Sequence, residues 1–85
     1  MKYTVLKFER PGCAPCKTLD QLLEKHDIKV TKVDQIKSPE MFQEFNVRSV
    51  PTILVLNHEN EVEQTIIGVV EHALISLKEK INEEQ

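Results

Sequence analysis

Short stretches that are rich in β-forming residues, that alternate apolar and polar side chains, or that are almost wholly apolar predict the strands of this protein. Four such stretches occur, over residues 2–9, 28–34, 52–56 and 61–67. The second has the period-two alternation of a half-buried strand. The third is almost wholly apolar, as expected of a central strand that is covered on both faces. A short polar turn, Asn57-His58-Glu59-Asn60, joins the third to the fourth, so these two are expected to pair as a hairpin.

Three stretches with apolar residues at helical spacing predict helices. The first begins close to Cys13, after the break at Arg10-Pro11-Gly12, and ends near Asp27. The second starts with Ser38 as N-cap and Pro39 at the first helical position. The third runs from Val69 to about Asn82, and residues 83–85 are expected to fray. The predicted inward faces consist of Leu19, Leu22, Leu23 and His26, then Met41, Phe42 and Phe45, and finally Val70, Leu74, Leu77 and Ile81.

The resulting order, β-α-β-α-β-β-α, predicts an α/β fold. Its first half is a βαβ unit, which crosses over with a right hand and makes a parallel pair of strands. Its second half adds a hairpin and a covering helix. The sequence of 85 residues contains no repeat and no interior linker, so residues 1–85 are predicted to form a single domain.

Composition narrows the classes of partner. The formal net charge is −3 and the basic residues are scattered, which argues against a nucleic-acid partner. Apolar runs such as Ile53–Leu56 are far too short to span a bilayer. The first residues have neither the apolar block nor the cleavage site of a signal peptide, so the expected location is the cytoplasm.

The two cysteines, Cys13 and Cys16, are the candidate catalytic residues. They lie where a strand ends and a helix begins, so the free N–H groups and the positive end of the helix dipole favour a thiolate at Cys13. Thiolate is the attacking species in disulfide exchange. Cys16 lies about one turn further on the same side of the helix. Cys13 is therefore the expected nucleophile and Cys16 the resolving thiol, with no bound cofactor required.

A cysteine pair has two other common uses, in a metal site and as buried structural thiols. A structural zinc site normally needs four protein ligands. This chain has no second cysteine pair, and His26, His58 and His72 fall on separate predicted elements, so no metal site is expected. The remaining alternative is a pair of buried structural thiols.

Several residues together resemble the thioredoxin/glutaredoxin superfamily. They are Phe8, the motif Pro11-Gly12-Cys13-Ala14-Pro15-Cys16-Lys17, the segment Val47-Arg48-Ser49-Val50-Pro51-Thr52, and Gly68. Cys-Ala-Pro-Cys-Lys is close to the Cys-Gly-Pro-Cys-Lys motif of thioredoxins, and Arg-Ser-Val-Pro-Thr resembles the family's cis-proline loop.

The resemblance implies a thioredoxin-like fold, in which a four-stranded mixed sheet is flanked by three helices. It also implies that Pro51 has a cis peptide bond beside the two sulfurs, and that Val50 presents backbone groups to an extended substrate. Gly68 would leave room on the other side of the same groove. Gly12, Val50, Pro51 and Gly68 are accordingly the expected substrate-binding residues.

The chain departs from the thioredoxin pattern at two positions near the cysteines. Thioredoxins usually have Trp directly before the first cysteine, where this chain has Gly12. They also carry a buried Asp six residues before that cysteine, and here the position is Lys7. A Lys7 buried near the sulfurs would favour the thiolate; a Lys7 whose amine snorkels to solvent would not. Glu9, on the same strand face, is a weaker candidate for proton handling.

The resemblance implies that the protein is a monomer that reduces protein disulfides. A thioredoxin-reductase-like electron donor then restores its two thiols. A glutathione-dependent, glutaredoxin-like activity is the alternative, but glutaredoxins usually have Cys-Pro-Tyr-Cys and a Gly-Gly pair followed by an acid. Here Gly68 is a single glycine and Glu71 is the nearest candidate acid. A docking module without enzymatic activity is the alternative from another class, although such a module has no need of both cysteines.

Overall fold

The computed structural model describes residues 3–83, and their elements follow the predicted order. The strands are β1 (Thr4–Glu9), β2 (Thr31–Asp34), β3 (Thr52–Leu56) and β4 (Val62–Ile67), and the helices are α1 (Ala14–Lys25), α2 (Pro39–Glu44) and α3 (Glu71–Glu83). The predicted strand start at Lys2 and the predicted fraying of residues 84–85 lie outside the described residues. Within residues 3–83, no helix is both long enough and apolar enough to cross a membrane.

The four strands form one mixed sheet in the order β2-β1-β3-β4. Strand β1 is parallel to β2, whereas the pairs β1–β3 and β3–β4 are antiparallel. Phe8, near the end of β1, is paired with Thr52 at the start of β3, and Thr52 is paired with Ile67 at the end of β4. This register places the loops that follow β1 and β4 at the same sheet edge as the loop before β3.

Each face of the sheet carries its own apolar core. Alternate residues of β3 point to opposite faces, and all five residues of β3 are buried, as its apolar sequence predicts. One core, beneath α1 and α3, contains Val5, Leu19, Leu23, Ile28, Ile53, Val55, Ile66, Leu74 and Leu77. The other, beneath α2, contains Leu6, Phe8, Val33, Phe42, Leu54 and Leu56. The Phe8 and Phe42 rings meet edge to face, with centroids 4.9 Å apart.

Two predicted boundaries were wrong. Strand β2 begins at Thr31 instead of Ile28, because Asp27 has a positive φ of 54° and the Ile28 N–H donates to the Leu23 carbonyl at 2.8 Å. This turn closes α1 and directs Ile28 into the core beneath α1 and α3. Helix α3 begins at Glu71 instead of Val69. Val70 is the residue directly before the helix, and its carbonyl accepts the Leu74 N–H at 3.4 Å as the first bond of the helical pattern.

Candidate active site

Cys13 and Cys16 lie at the junction of β1 and α1 and are joined as a disulfide. Cys13 is the N-cap of α1, with extended backbone angles, and its Sγ accepts a hydrogen bond from the Cys16 N–H at 3.2 Å. Pro15 has no N–H and sits in the first turn, so no donor is lost there. A backbone N–H donor and the positive end of a helix dipole are groups that stabilise negative charge on a sulfur.

Both cysteines line a cavity of about 260 Å³ at the sheet edge. The residues themselves are 3% and 4% exposed, so the sulfurs are approached through this cavity. Gly12 lies on its rim, exposed and with a positive φ of 72°, a conformation that glycine adopts without strain. The other lining residues are Glu9, Arg10, Pro11, Lys17, Asp20 and Asp34.

The loop before β3 lies at the same sheet edge as the cysteines. The peptide bond between Val50 and Pro51 is cis. The Pro51 carbonyl accepts a hydrogen bond from the Gly68 N–H at 2.9 Å, so the structure brings these two predicted residues together. Gly68 has a positive φ of 85°, and no atom approaches the space that a Cβ would fill. Val50 is half-buried and lies outside the sheet pairing that ends at Thr52, which leaves its backbone beyond the ladder.

Lys7 is completely buried, and the interpretation that its amine snorkels to solvent is wrong. Its Nζ donates to a carboxylate oxygen of Glu9 and to Asp20 Oδ1, the latter at 2.7 Å. Asp20 also accepts from Lys32 Nζ at 3.3 Å. Glu9 and Asp20 line the cavity that holds both cysteines, so the ion pairs of Lys7 form part of its wall.

Asp20 is the residue of this site that the sequence analysis missed. It lies four residues after Cys16 on α1, and residues at that spacing share one helix face. Partial burial raises the pKa of Asp20, but the hydrogen bonds and charges of Lys7 and Lys32 outweigh it and hold this pKa below its usual value.

An Asp20→Asn variant tests this ion pair through the acid dependence of stability. A carboxyl with a lowered pKa stabilises the fold above its unfolded pKa, and this stability is lost as pH falls through the folded pKa. Denaturant unfolding between pH 7 and pH 3 should therefore show a smaller loss of stability on acidification in the variant than in the wild type. Asp27→Asn is the control, because Asp27 is exposed and its contact with Lys78 is 3.8 Å long. Equal slopes in the wild type and Asp20→Asn would contradict the assignment.

Glu71, the acid suggested by the glutaredoxin alternative, lies elsewhere. Its carboxylate accepts from Lys25 Nζ at 2.9 Å and contacts His26 Nε2 at 2.7 Å. The hydrogen bonds from these two residues hold the pKa of Glu71 below its usual value. Lys25 and His26 are at the C-terminal end of α1, which is about 18 Å from its N-terminus. The carboxylate of Glu71 is therefore engaged far from Cys13.

Comparison with known proteins places the chain among thioredoxins. The family model described as thioredoxin matches residues 1–82. The chain is 33% identical over 64 residues to the prophage-derived thioredoxin-like protein YosR of Bacillus subtilis, covering 75% of this chain and 80% of that protein. It is 36% identical over 67 residues to the thioredoxin of Bacillus subtilis, covering 72% of this chain and 64% of that one, which is less than two thirds of its length.

Solved structures give the same result. The short form of thioredoxin F from spinach chloroplast superposes with a TM-score of 0.80 at 26% identity, over 93% of this chain and 75% of that one. The thioredoxin of Malassezia sympodialis superposes with a TM-score of 0.79 at 26% identity, over 93% of this chain and 74% of that one. The four-stranded mixed sheet with three helices is thus confirmed as a thioredoxin-like fold.

Proposed function

Because the chain belongs to the thioredoxin family of thiol–disulfide oxidoreductases, we propose that it reduces disulfide bonds in proteins, with Cys13 attacking and Cys16 resolving. The observation that supports these roles most strongly is the hydrogen bond from the Cys16 N–H to Cys13 Sγ at the N-cap of α1. This donor favours negative charge on the Cys13 sulfur. Cys16 lies inside the first turn of α1 and has no equivalent N-cap position.

The proposed reaction is a two-step exchange that moves two electrons. The Cys13 thiolate attacks one sulfur of the substrate disulfide, whose bond breaks and releases the other sulfur as a thiolate. Cys16, after losing its proton, then attacks the Cys13 sulfur of the mixed disulfide. The second substrate thiolate leaves, and the Cys13–Cys16 disulfide forms. The Cα atoms of the pair are 5.2 Å apart, a separation within the range that a disulfide spans.

We propose that an extended segment of the substrate lies across the loop before β3. Val50 lies outside the sheet ladder, so its backbone is placed to pair with such a segment in the manner of an added strand. Pro51 and Gly68, held together by their hydrogen bond, would form the floor of this contact. Gly12, exposed on the cavity rim, would let the substrate approach Cys13 closely.

The engagement of Glu71 favours thioredoxin-like over glutathione-dependent activity. A glutathione site of the expected kind needs a free acid after the last strand, and here that carboxylate binds Lys25 and His26. The docking module is disfavoured because both cysteines are retained and bonded within one cavity. The experiment that separates these functions compares insulin reduction driven by a thioredoxin reductase with reduction driven by glutathione and its reductase. Turnover only with glutathione would overturn the proposal, and turnover with neither donor would favour the docking module.

The remaining proposals concern the setting of this chemistry. The electron donor is proposed to be a thioredoxin-reductase-like protein, and the location the cytoplasm, since a dithiol reductant works where thiols are kept reduced. Residues 1–85 are proposed to act as one domain and as a monomer, because one chain supplies both cysteines and the whole lining of the cavity.

We further propose that Lys7 favours the Cys13 thiolate by neutralising the carboxylates of Glu9 and Asp20 in the cavity wall. A Lys7→Met variant leaves Glu9 without its ion-pair partner and Asp20 with Lys32 alone, and the added negative charge in the cavity wall disfavours a thiolate. Alkylation of Cys13 by iodoacetamide should slow roughly threefold to tenfold at pH 7, and its pH profile should move upward. Adding Asp20→Asn to Lys7→Met should move the profile back. An unmoved profile in a folded Lys7→Met protein would contradict the role of Lys7.

A further inference from the structure

Arg10 and Arg48 are two of the Lys and Arg residues that form no ion pair within residues 3–83; the others are Lys17, Lys29 and Lys37. The cations that do form one are Lys7, Lys25, Lys32, His26, Lys78 and Lys80. Arg10 follows β1, three residues before Cys13, and Arg48 precedes the cis-proline loop. Both are exposed. What distinguishes the two arginines from the unpaired lysines is their place together beside Val50, where the substrate is proposed to pair.

The two arginines line one small cavity together with Gln35, Ser49 and Val50. Its volume is about 30 Å³, and it borders the Val50 backbone to which the substrate is proposed to pair. Arg48 Nε donates to Asn46 Oδ1 at 3.2 Å, which fixes one edge of its guanidinium and leaves the terminal nitrogens for another acceptor. A planar guanidinium with two such nitrogens matches the geometry of a carboxylate.

The acidic residues that line a cavity together with Arg10 accept hydrogen bonds from other groups. Arg10 also lines the cavity of the cysteines, where Glu9, Asp20 and Asp34 are its acidic neighbours. Glu9 and Asp20 bind Lys7. Asp34 Oδ1 accepts from the backbone N–H groups of Ile36 and Lys37, at 2.8 and 3.1 Å. Neither arginine is therefore within ion-pair distance of a carboxylate among residues 3–83, although acidic residues line the cavity of the cysteines.

We propose that Arg10 and Arg48 bind a carboxylate of the substrate next to the disulfide under attack, so that disulfides with an adjacent acidic group are preferred. This inference rests on the proposed function and assigns its substrate class. The carboxylate has two possible sources, an Asp or Glu side chain of a protein substrate and a carboxylate of oxidised glutathione. Because both arginines are exposed to solvent, the expected preference is moderate, about threefold to tenfold in kcat/KM.

The test uses disulfide-bonded peptides that differ only in the residue after the attacked cysteine: Glu, Gln or Lys. The wild type should reduce them in the order Glu, Gln, Lys, and the ratio of kcat/KM for Glu to Gln should fall as salt is added. In an Arg10→Gln/Arg48→Gln variant the ratio should fall to about one. A Lys29→Gln/Lys80→Gln variant, with the same change in net charge near the start of β1, should keep the wild-type ratio.

The outcomes separate the two carboxylate sources and the two proposals. If the arginine variant loses the preference for the Glu peptide, the ligand is an acidic side chain of the substrate. If it loses only the reduction of oxidised glutathione, the ligand is a carboxylate of glutathione. An unchanged Glu to Gln ratio together with unchanged glutathione reduction overturns the carboxylate site. Equal losses on the Glu, Gln and Lys peptides also overturn it, since a specific carboxylate contact discriminates among them. Failure of the wild type to reduce any of these disulfides refutes the proposed function itself.

Discussion

A Cys13→Ser variant is expected to lose disulfide reduction by at least about a thousandfold, because the attacking sulfur is removed from the N-cap of α1. A serine hydroxyl at this place is not ionised at neutral pH and does not displace a thiolate from a disulfide. The measurement is insulin reduction with dithiothreitol as the electron source, in which the variant should not exceed the rate without protein.

The same substitution preserves the local structure, so a loss of activity reports on chemistry. Serine is a preferred N-cap residue, and its Oγ accepts the Cys16 N–H that Cys13 Sγ accepts in the wild type. The wild type reduced by dithiothreitol is the matched reference for thermal unfolding, since both proteins then lack the disulfide. A folded Cys13→Ser protein with wild-type turnover would contradict the assignment of Cys13 as nucleophile.

The strands, the helices and the place of the cysteine pair were predictable because each rests on a local pattern. The apolar run at 52–56 predicted a strand buried on both faces, and all its residues are buried. The break at Arg10-Pro11-Gly12 predicted a helix that begins close to Cys13, and Cys13 is the N-cap. These features depend on neighbours within a few residues, so no knowledge of the distant chain was needed.

The start of β2 was not predictable in the same way. Residues 28–34 continue the alternation of a strand, yet Ile28 is drawn into the end of α1 by its hydrogen bond to Leu23. Whether an alternating residue belongs to a strand depends on whether a partner strand extends alongside it. Strand β1 pairs with β2 only from Leu6↔Thr31 onward. The boundary is therefore set by tertiary packing, which a periodic pattern along the sequence does not reveal.

The environment of Lys7 was not predictable because its two partners come from different elements. Glu9 is two residues away on β1, but Asp20 is thirteen residues away on α1, and only the packing of α1 against the sheet brings its carboxylate to Lys7. A lone Lys in an apolar strand gives no sign of which acid compensates it. The spacing of Asp20 from Cys16 was the one available signal, and it becomes informative once α1 is known to face the cavity.

The structure assembles the site from three separate physical devices at one sheet edge. The Cys16 N–H donates to Cys13 Sγ at the helix N-terminus, the register Phe8↔Thr52 brings the cis-proline loop to the same edge, and the buried Lys7 binds the carboxylates of Glu9 and Asp20 in the cavity wall. The first device acts through backbone groups and therefore does not depend on the identity of the intervening residues. The third acts through side chains, because a buried lysine amine needs acidic partners, which here are Glu9 and Asp20.

A Cys16→Ser variant is expected to stop after the first step and to accumulate a mixed disulfide between Cys13 and the substrate. The donor to Cys13 Sγ is the backbone N–H of residue 16, so the substitution leaves the activation of Cys13 in place and removes only the resolving sulfur. After incubation with a disulfide substrate, mass spectrometry under non-reducing conditions should show a substrate adduct on most of the Cys16→Ser protein, and dithiothreitol should remove it. A Cys13→Ser protein treated in parallel is the control and should carry almost none. The opposite distribution, with adducts on Cys13→Ser and not on Cys16→Ser, would mean that Cys16 is the attacking thiol and that the N-cap hydrogen bond does not select the nucleophile.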